Sequence, residues 1–368
     1  MVDETRFISG GEEKILRAFE APKSFIQRLH RLMGTTDTSS EKARASAASV
    51  PPLGLSNKAH YASEQQQPVE IGQGDLDVEI PPIEETLMQQ TLWPELHKLY
   101  GHGYELYCVA CNRRGTVVAS ACKASKREYA GILLWDTEEW QERGSLLSHA
   151  LTVTELRFSP CDKFLLSVSR DRTWTLFRAT AAPFSWDTVG HSDKHTGIHT
   201  RIIWGCAWTH DSRYFFTVAR DKKCIAWLVD DSADAATGSV TGPVTARGSP
   251  FELEDALTCV DCTPYAVLHS GYLLAVGTEG GCILMCSWTE AEGFTVLNSM
   301  DNSMAHALSV KKLRFYPMVG IWGDELLEEY DISILSSKRN VAQLLQLASC
   351  GNDHLVKVYA IEFHHQSK

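Results

Sequence analysis

Four of the cysteines stand in two C-x-x-C pairs, Cys108/Cys111 and Cys259/Cys262. Four thiolates at this spacing form a common ligand set for zinc. The sequence repeat described below favours a simpler interpretation, because both pairs occupy the same position in two different repeats, where other repeats carry core strand residues. We therefore expect the two pairs to lie in different repeats, far apart, and we predict no metal site.

Three histidines, His191, His195 and His199, recur every four residues and would share one face of a helix, where they could bind a metal. Gly197 and the polar residues around it predict a loop instead, and His199 belongs to the repeat pattern. The glycine-rich segment 277–282 fits a turn between strands rather than a phosphate loop. No nucleophile, base and acid stand together in a supporting context. The sequence predicts a chain that is not an enzyme and has no cofactor.

Cations cluster around two aspartates of the repeats. The turn that carries each aspartate joins the second and third strands, on the same face as the loops that enter the first strands. We therefore expect the cations to form one basic rim. They either pair locally and keep the turns solvated, or they bind an acidic partner. That partner would be a protein surface or a nucleic-acid phosphate backbone, and phosphate contacts would be sensitive to salt. The basic rim comprises Arg170 and Arg172 beside Asp171, Arg201 after His199, and Arg220, Lys222 and Lys223 around Asp221.

The composition bounds the class of protein. The 368 residues, 44% of them hydrophobic, suffice for one large domain or two ordinary ones. A formal charge of −11 argues against the whole surface being a nucleic-acid platform. No apolar run approaches the length of a membrane span, and the first 14 residues have no apolar signal core. The eleven cysteines are typical of reduced intracellular thiols.

Two segments 50 residues apart share one spacing. In each, a histidine precedes an aspartate by 22 residues, and an aromatic residue follows that aspartate by six. The segments alternate in hydrophobicity between polar turns, which predicts antiparallel strands. Buried polar groups are costly unless they are bonded, so a chain of hydrogen bonds between strands would explain the spacing. The predicted network residues are His149, Ser167 and Asp171 (with Phe177 in the tryptophan position), and His199, Thr217, Asp221 and Trp227.

This pattern resembles the WD40 family and predicts an all-β WD40 β-propeller. Residues 1–20 would form a partial blade without its first strand, and 21–95 a partly disordered insert with short anchored segments. A propeller at 96–362 would follow, interrupted by an insertion at about 318–342. Five and a half repeats leave such a ring open, so we expect the natural protein to extend further at its N-terminus. The predicted full four-stranded blades are about 97–142, 145–180, 196–230, 252–290 and 304–362.

Nearly the whole chain resembles the WD40 subunits of the Elongator complex, and the C-terminal propeller portion in particular. The resemblance implies a non-catalytic scaffold for the largest subunit and for the catalytic, radical-SAM and acetyltransferase-like subunit. It also implies support of the mcm5/ncm5-type C5 modification of the tRNA wobble uridine, with at most weak or indirect tRNA contact. The location implied is mainly cytoplasmic, with nuclear presence, and away from membranes. The segments that carry the resemblance are SGGEEKILRAFEAP, PPLGLSNKA, TLWPELHKLYGHGYELYC, SACKASKREYAGILLW, FLLSVSRDRTW, HTRIIWGCAW and YFFTVARDKK.

Two other functions stay open on the residues alone. A WD40 recognition module could bind RNA or a peptide directly, outside Elongator, and an aromatic-lined central pocket would favour it. An enzyme could use the cysteine or histidine clusters, and stoichiometric zinc would favour that.

Overall fold

The computed structural model describes residues 1–3, 5–23, 25–27, 30, 48, 92–193, 197–231, 244–268, 270–316, 330–335 and 345–365. These residues form antiparallel sheets almost throughout, with a short 3-10 helix at Arg127–Tyr129. None of the helices in this part of the chain has the length and apolarity needed to cross a membrane. The predicted insert at 21–95 lies almost wholly outside the described residues. Within it, Ala48 and Leu92 form an isolated antiparallel bridge.

The first sheet has three strands, β1 (Arg6–Gly10), β2 (Ile15–Glu20) and β3 (Glu95–Tyr100), hydrogen-bonded in chain order. The partial first blade is therefore present, and β3 completes it from beyond the insert. β3 falls within the region predicted to begin the second blade. Its backbone pairs with β2 instead, from Ile15 opposite Tyr100 to Phe19 opposite Glu95.

Four sheets of four strands follow, each hydrogen-bonded in chain order. Their first strands, β4, β8, β12 and β16, pack side by side in chain order as the innermost strands of the blades. The strands are β4 (Leu106–Cys111), β5 (Val117–Cys122), β6 (Ile132–Asp136), β7 (Glu142–Leu146), β8 (Val153–Phe158), β9 (Phe164–Ser169), β10 (Trp174–Ala179), β11 (Trp186–His191), β12 (Ile203–Trp208), β13 (Tyr214–Ala219), β14 (Lys223–Val229), β15 (Val244–Glu252), β16 (Leu257–Cys262), β17 (Tyr272–Thr278), β18 (Ile283–Thr289) and β19 (Gly293–Met300).

The last sheet departs from chain order. It consists of β20 (Val310–Phe315), β21 (Tyr330–Leu335), β22 (Leu345–Gly351) and β23 (Val356–His365), in the order β20-β22-β23-β21. The segment predicted as an insertion at about 318–342 thus contains a strand. β21 pairs antiparallel with β23 and takes the outer position that the fourth strand holds in the other blades.

The fold class is confirmed: the chain is a WD40 propeller, and its described residues form five four-stranded blades and one three-stranded blade. The blade bounds need correction, because each sheet starts and ends later than the repeat that predicted it. The motif histidine lies in the loop before an inner strand, whereas the outermost strand of that blade comes after the last motif residue. The predicted bounds of 97–142, 145–180, 196–230, 252–290 and 304–362 become 106–146, 153–191, 203–252, 257–300 and 310–365.

The core lies between the blades. β9 and β13 are buried at every position, because both faces of each strand pack against other strands. Aromatic rings interlock across the blade boundary, with the Trp174 and Trp227 ring centroids 5.0 Å apart. Every blade that gains a neighbour thereby buries a second face, which stabilises the stack and holds the turns of adjacent blades in a fixed relation.

Candidate functional site

A complete polar network spans the blade β12–β15. Trp227 Nε1 donates to Thr217 Oγ1 at 2.8 Å, and Thr217 Oγ1 lies 2.8 Å from His199 Nε2. His199 Nδ1 lies 3.2 Å from both oxygens of Asp221. A single tautomer fits these contacts, with Nδ1–H donating to the carboxylate and Nε2 accepting from threonine. The network joins the loop before the inner strand to the second and third strands.

The blade β8–β11 repeats this network without its indole. His149 Nε2 lies 2.8 Å from Ser167 Oγ, and His149 Nδ1 lies 3.2 Å from Asp171 Oδ2. Phe177 fills the tryptophan position and has no N–H to donate. Ser167 Oγ lies 3.3 Å from the carbonyl oxygen of Thr175 instead. The structure therefore brings all seven predicted network residues into two separate hydrogen-bonded sets.

The aspartates also organise the turns that carry the basic rim. Asp221 accepts hydrogen bonds from the amides of Thr200 and Lys223, so it ties the loop before β12 to the turn before β14. Burial opposes ionisation of Asp221, but the hydrogen bond with His199 and these amides outweigh it and lower the pKa of Asp221. The next residue, Lys222, has a φ of 71°, which is typical of a tight turn. Arg172 holds the same place after Asp171, with a φ of 74°.

The structure divides the basic rim into two groups. Lys223 Nζ lies 2.9 Å from Glu252, and the Arg220 guanidinium lies 3.9 Å from Glu279. Lys222 Nζ donates to the carbonyl oxygen of Glu254 at 2.7 Å. Arg170, Arg172 and Arg201 have exposed side chains, and within the described residues no carboxylate lies within ion-pair distance of them. These three arginines are the unpaired cations of the rim.

The two C-x-x-C pairs lie on the inner strands β4 and β16, with two blades between them. All eleven cysteines are free, and burial raises the pKa of the Cys108 and Cys259 thiols to about 12. His199 is held by its network, His191 is exposed on β11, and His195 lies outside the described residues. Nowhere in the described ranges do three histidine, cysteine or carboxylate side chains converge as a metal ion would require.

A charged channel runs between the inner strands, and sequence reasoning missed it. Glu155 of β8 accepts from Lys312 Nζ of β20 at 2.7 Å and from the backbone amide of Cys206 at 3.1 Å. Asp261 of β16 accepts from Arg157 of β8 at 3.0 Å and from Arg314 of β20 at 3.2 Å. The charged channel is defined by these side chains: Glu155, Arg157, Asp261, Lys312 and Arg314. The sequence does contain a signal for this cluster: charged residues stand at inner-strand positions where other repeats carry apolar residues.

The charges of the channel depend on one another. Burial opposes ionisation of Glu155, but Lys312 and Arg157 outweigh it and lower the pKa of Glu155. Burial raises the pKa of Asp261 to about 6, even though Arg157 and the amide of Phe315 act in the other direction. Both carboxylates lie deep in the structure, with side chains less than a tenth exposed. These ion pairs therefore join strands that are two and three blades apart at the centre of the propeller.

A cavity of about 410 Å³ opens at one end of the charged channel. Its wall contains the last residues of the inner strands, Phe158, Trp208, Cys262 and Phe315 among them. The Asp171 and Asp221 turns lie at the beginning of the inner strands, because their carboxylates bond the residues just before β8 and β12. The cavity and the basic rim therefore occupy opposite faces of the propeller.

Comparisons with known proteins agree with this architecture. The family model "WD domain, G-beta repeat" matches residues 140–178 and 191–227, the two regular repeats. Elongator complex protein 2 of Danio rerio is 39% identical over 98% of this chain, and that of Homo sapiens 38% identical over 98%. This chain belongs to the Elongator complex protein 2 family. It covers 47% and 46% of those two relatives, so it spans about half the length of the curated family members that it matches.

The family match extends to distant organisms. Elongator complex protein 2 of Schizosaccharomyces pombe is 37% identical over 76% of this chain and is covered over 36% of its own length. A chain of the crystal structure of the mitotic checkpoint complex aligns with a TM-score of 0.49 and 16% identity, covering 73% of this chain and 65% of that chain. This structural match is too weak to add anything about fold or function.

Proposed function

We propose that this chain is a non-catalytic scaffold segment of an Elongator complex. The observation that carries the proposal is 39% identity over 98% of the chain to a protein named as an Elongator subunit. The architecture supports it, since the described residues form stacked blades whose polar clusters are already bonded to one another. Propellers of this kind present loops on rigid strands and serve mainly as binding platforms.

The proposed partners are the largest Elongator subunit and the catalytic, radical-SAM and acetyltransferase-like subunit. By holding these two together, the scaffold would support C5 modification of the tRNA wobble uridine, in the cytoplasm and with nuclear presence. Contact with tRNA is weak or indirect in this proposal, since the chain carries a formal charge of −11.

The basic rim is the proposed contact surface. Within it, Arg170, Arg172 and Arg201 are the residues that bind the partner. These three guanidinium groups are exposed and have no carboxylate partner in the described part of the chain, so they are free to bind an acidic surface. Arginine suits this role because its planar guanidinium group donates two parallel hydrogen bonds to one carboxylate or phosphate. Arg220, Lys222 and Lys223 already have partners in the chain.

The test is charge reversal in cells where the variant replaces the normal protein. In the triple variant Arg170→Glu/Arg172→Glu/Arg201→Glu, we expect wobble-uridine C5 modification to fall at least five-fold by mass spectrometry of tRNA nucleosides. The control is Arg213→Glu, an exposed arginine in a turn on the opposite face, which should leave modification normal. A triple variant that folds and supports full modification would refute the rim as the contact surface.

Tagged chain isolated from those cells tests the assembly itself. We expect the normal protein to recover the largest and the catalytic subunits, and the triple variant to lose one of them. Recovery of RNA or unrelated proteins in place of both subunits would contradict the scaffold proposal and favour an independent recognition module.

A further inference from the structure

The cavity at the end of the charged channel, on the face opposite the basic rim, is positively charged within an acidic protein. Arg113, Arg157 and Arg314 contribute to its wall, against a single carboxylate, Asp261. The side chains of the wall therefore carry a net charge of about +2 even when Asp261 is ionised. The cavity therefore favours an anionic occupant.

The three guanidinium groups of the cavity wall differ in the ion pairs that they already make with carboxylates of the chain. Arg157 is held between Glu155 and Asp261, at 3.0 Å from each, and is mostly buried. Arg314 lies 3.2 Å from Asp261 and 3.8 Å from Glu155, but its side chain is 46% exposed and can still donate hydrogen bonds to a ligand. Arg113 is exposed, and no carboxylate in the described ranges reaches its guanidinium. Arg113 and Arg314 are thus available to a ligand, while Arg157 is a fixed part of the wall.

The wall of the cavity also contains aromatic residues. His210 contributes its imidazole to the wall. Phe158, Trp208 and Phe315 line the same cavity and provide apolar surface next to the cations.

We propose that this cavity binds an acidic peptide segment, with a carboxylate against Arg113 and Arg314 and a neighbouring apolar side chain against Phe158 and Trp208. Arginine forks bind carboxylates through two parallel hydrogen bonds, and the partly enclosed site strengthens them. Such peptide binding goes beyond the scaffold role and does not rest on it, because it uses the other face of the propeller.

The shape of the site favours a peptide over nucleic acid. A nucleic-acid strand needs cations spaced along its backbone and aromatic faces for successive bases. Here the arginines converge on one cavity of about 410 Å³, a volume that suits one or two side chains. An RNA strand is therefore the outcome that would contradict the proposal.

The experiment begins with a phage-displayed library of random dodecapeptides selected on the full 368-residue chain. We expect the enriched peptides to share an aspartate or glutamate next to an aromatic or aliphatic residue, and to disappear when selection uses Arg314→Gln. No enrichment, or the same peptides on Arg314→Gln, overturns the proposal.

Fluorescence anisotropy with the most enriched peptide, made synthetically, gives the quantitative test. Replacing its acidic residues by their amides should weaken binding at least ten-fold, and so should Arg314→Gln. Arg113→Gln, at an exposed and unpaired position where the fold is not at risk, should weaken binding at least three-fold. The matched control Arg114→Gln changes a neighbouring exposed arginine outside the cavity and should bind normally. Equal affinity for the acid and amide peptides, or displacement by a decauridine RNA at equal concentration, overturns the proposal.

Discussion

Two blades join their strands through similar hydrogen-bonded networks, but one of the networks lacks the aspartate. In the blade β4–β7, Trp135 Nε1 and His102 Nε2 both lie 2.7 Å from Ser120 Oγ, just as Trp227 and His199 share Thr217 in the blade β12–β15. The residue 22 positions after His102 is Ala124, where the other blade has Asp221. Nδ1 of His102 therefore has no hydrogen-bond partner among the described residues.

The missing carboxylate leaves His102 without an acidic partner in the described part of the chain, and the turn that follows β5 has a different shape. With no nearby carboxylate, burial lowers the pKa of His102 to about 4. The turn after β5 is longer and includes the 3-10 helix Arg127–Tyr129, whereas the turn after β13 is tight. Histidine, hydroxyl and indole therefore suffice to join the strands of a blade, while aspartate closes the turn. This difference also fits the location of the basic rim, whose cations surround only aspartate turns.

The largest effect should come from Asp221→Ala, which gives the complete network the gap found at Ala124. The substitution removes the acceptor for His199 Nδ1 and for the amides of Thr200 and Lys223. Breaking one side of a buried, bonded pair costs roughly 3 kcal/mol in the free energy of unfolding, and urea denaturation followed by circular dichroism measures it. Asp187→Ala, at an exposed position on β11, is the control and should stay within about 0.5 kcal/mol of the wild type. Equal stability of the two variants would contradict the role of Asp221.

The pH dependence of the blade β4–β7 should be of intermediate size. The folded pKa of His102, about 4, lies below the unfolded value of about 6.5, so protons favour the unfolded state. The contribution of a neutral His102 is fully present above pH 6.5 and is lost as the pH falls towards 4, by about 2 kcal/mol after allowance for partial solvent exposure. Asp261, with its raised pKa, acts in the opposite direction over the same range.

Urea denaturation of the wild type and of His102→Asn at pH 7 and pH 4.5 separates the two groups, since only the histidine differs between the proteins. We expect the stability difference between them to shrink at the lower pH. A difference that does not change with pH would show that His102 titrates normally in the folded chain.

The smallest effect should follow Trp227→Phe, which makes the tryptophan position of blade β12–β15 like Phe177. The change removes the hydrogen bond from Nε1 to Thr217 but keeps an aromatic ring, so we expect a loss of about 1 kcal/mol. Trp288→Phe is the matched control, because Trp288 is equally buried and its Nε1 has no hydrogen-bond partner in the described residues. The hydrogen bond is unimportant if urea denaturation shows the same loss for both variants.

Much of the fold could be predicted from the spacing of residues in the sequence, because the hydrogen-bonded network recurs with the same spacing in the regular repeats. The 22-residue step from histidine to aspartate predicts the paired strands, the turn between them and the buried hydroxyl, and the contacts of His149 and His199 follow that register. The blade bounds could not be read in this way, since β3 and β11 carry no network residue. Their place at the outer edge is set by backbone pairing alone.

The two candidate sites also differ in whether local sequence could predict them. The basic rim is a local feature, since its cations flank motif aspartates in the sequence and the direction of the turn fixes their face. The charged channel is not local, because Glu155 and Lys312 are 157 residues apart and meet only when the inner strands converge. No spacing rule within one repeat predicts a contact between inner strands of distant blades.

The sequence by itself determined the repeat, the strands that the network joins, and the positions where aspartate closes a turn, since hydrogen bonds over 18 to 22 residues depend on chain spacing alone. The tertiary structure decided which cations keep free donors, which carboxylates pair across the channel, and where a cavity remains. Those outcomes depend on distances between blades, and burial between the blades is what makes an unpaired carboxylate costly there.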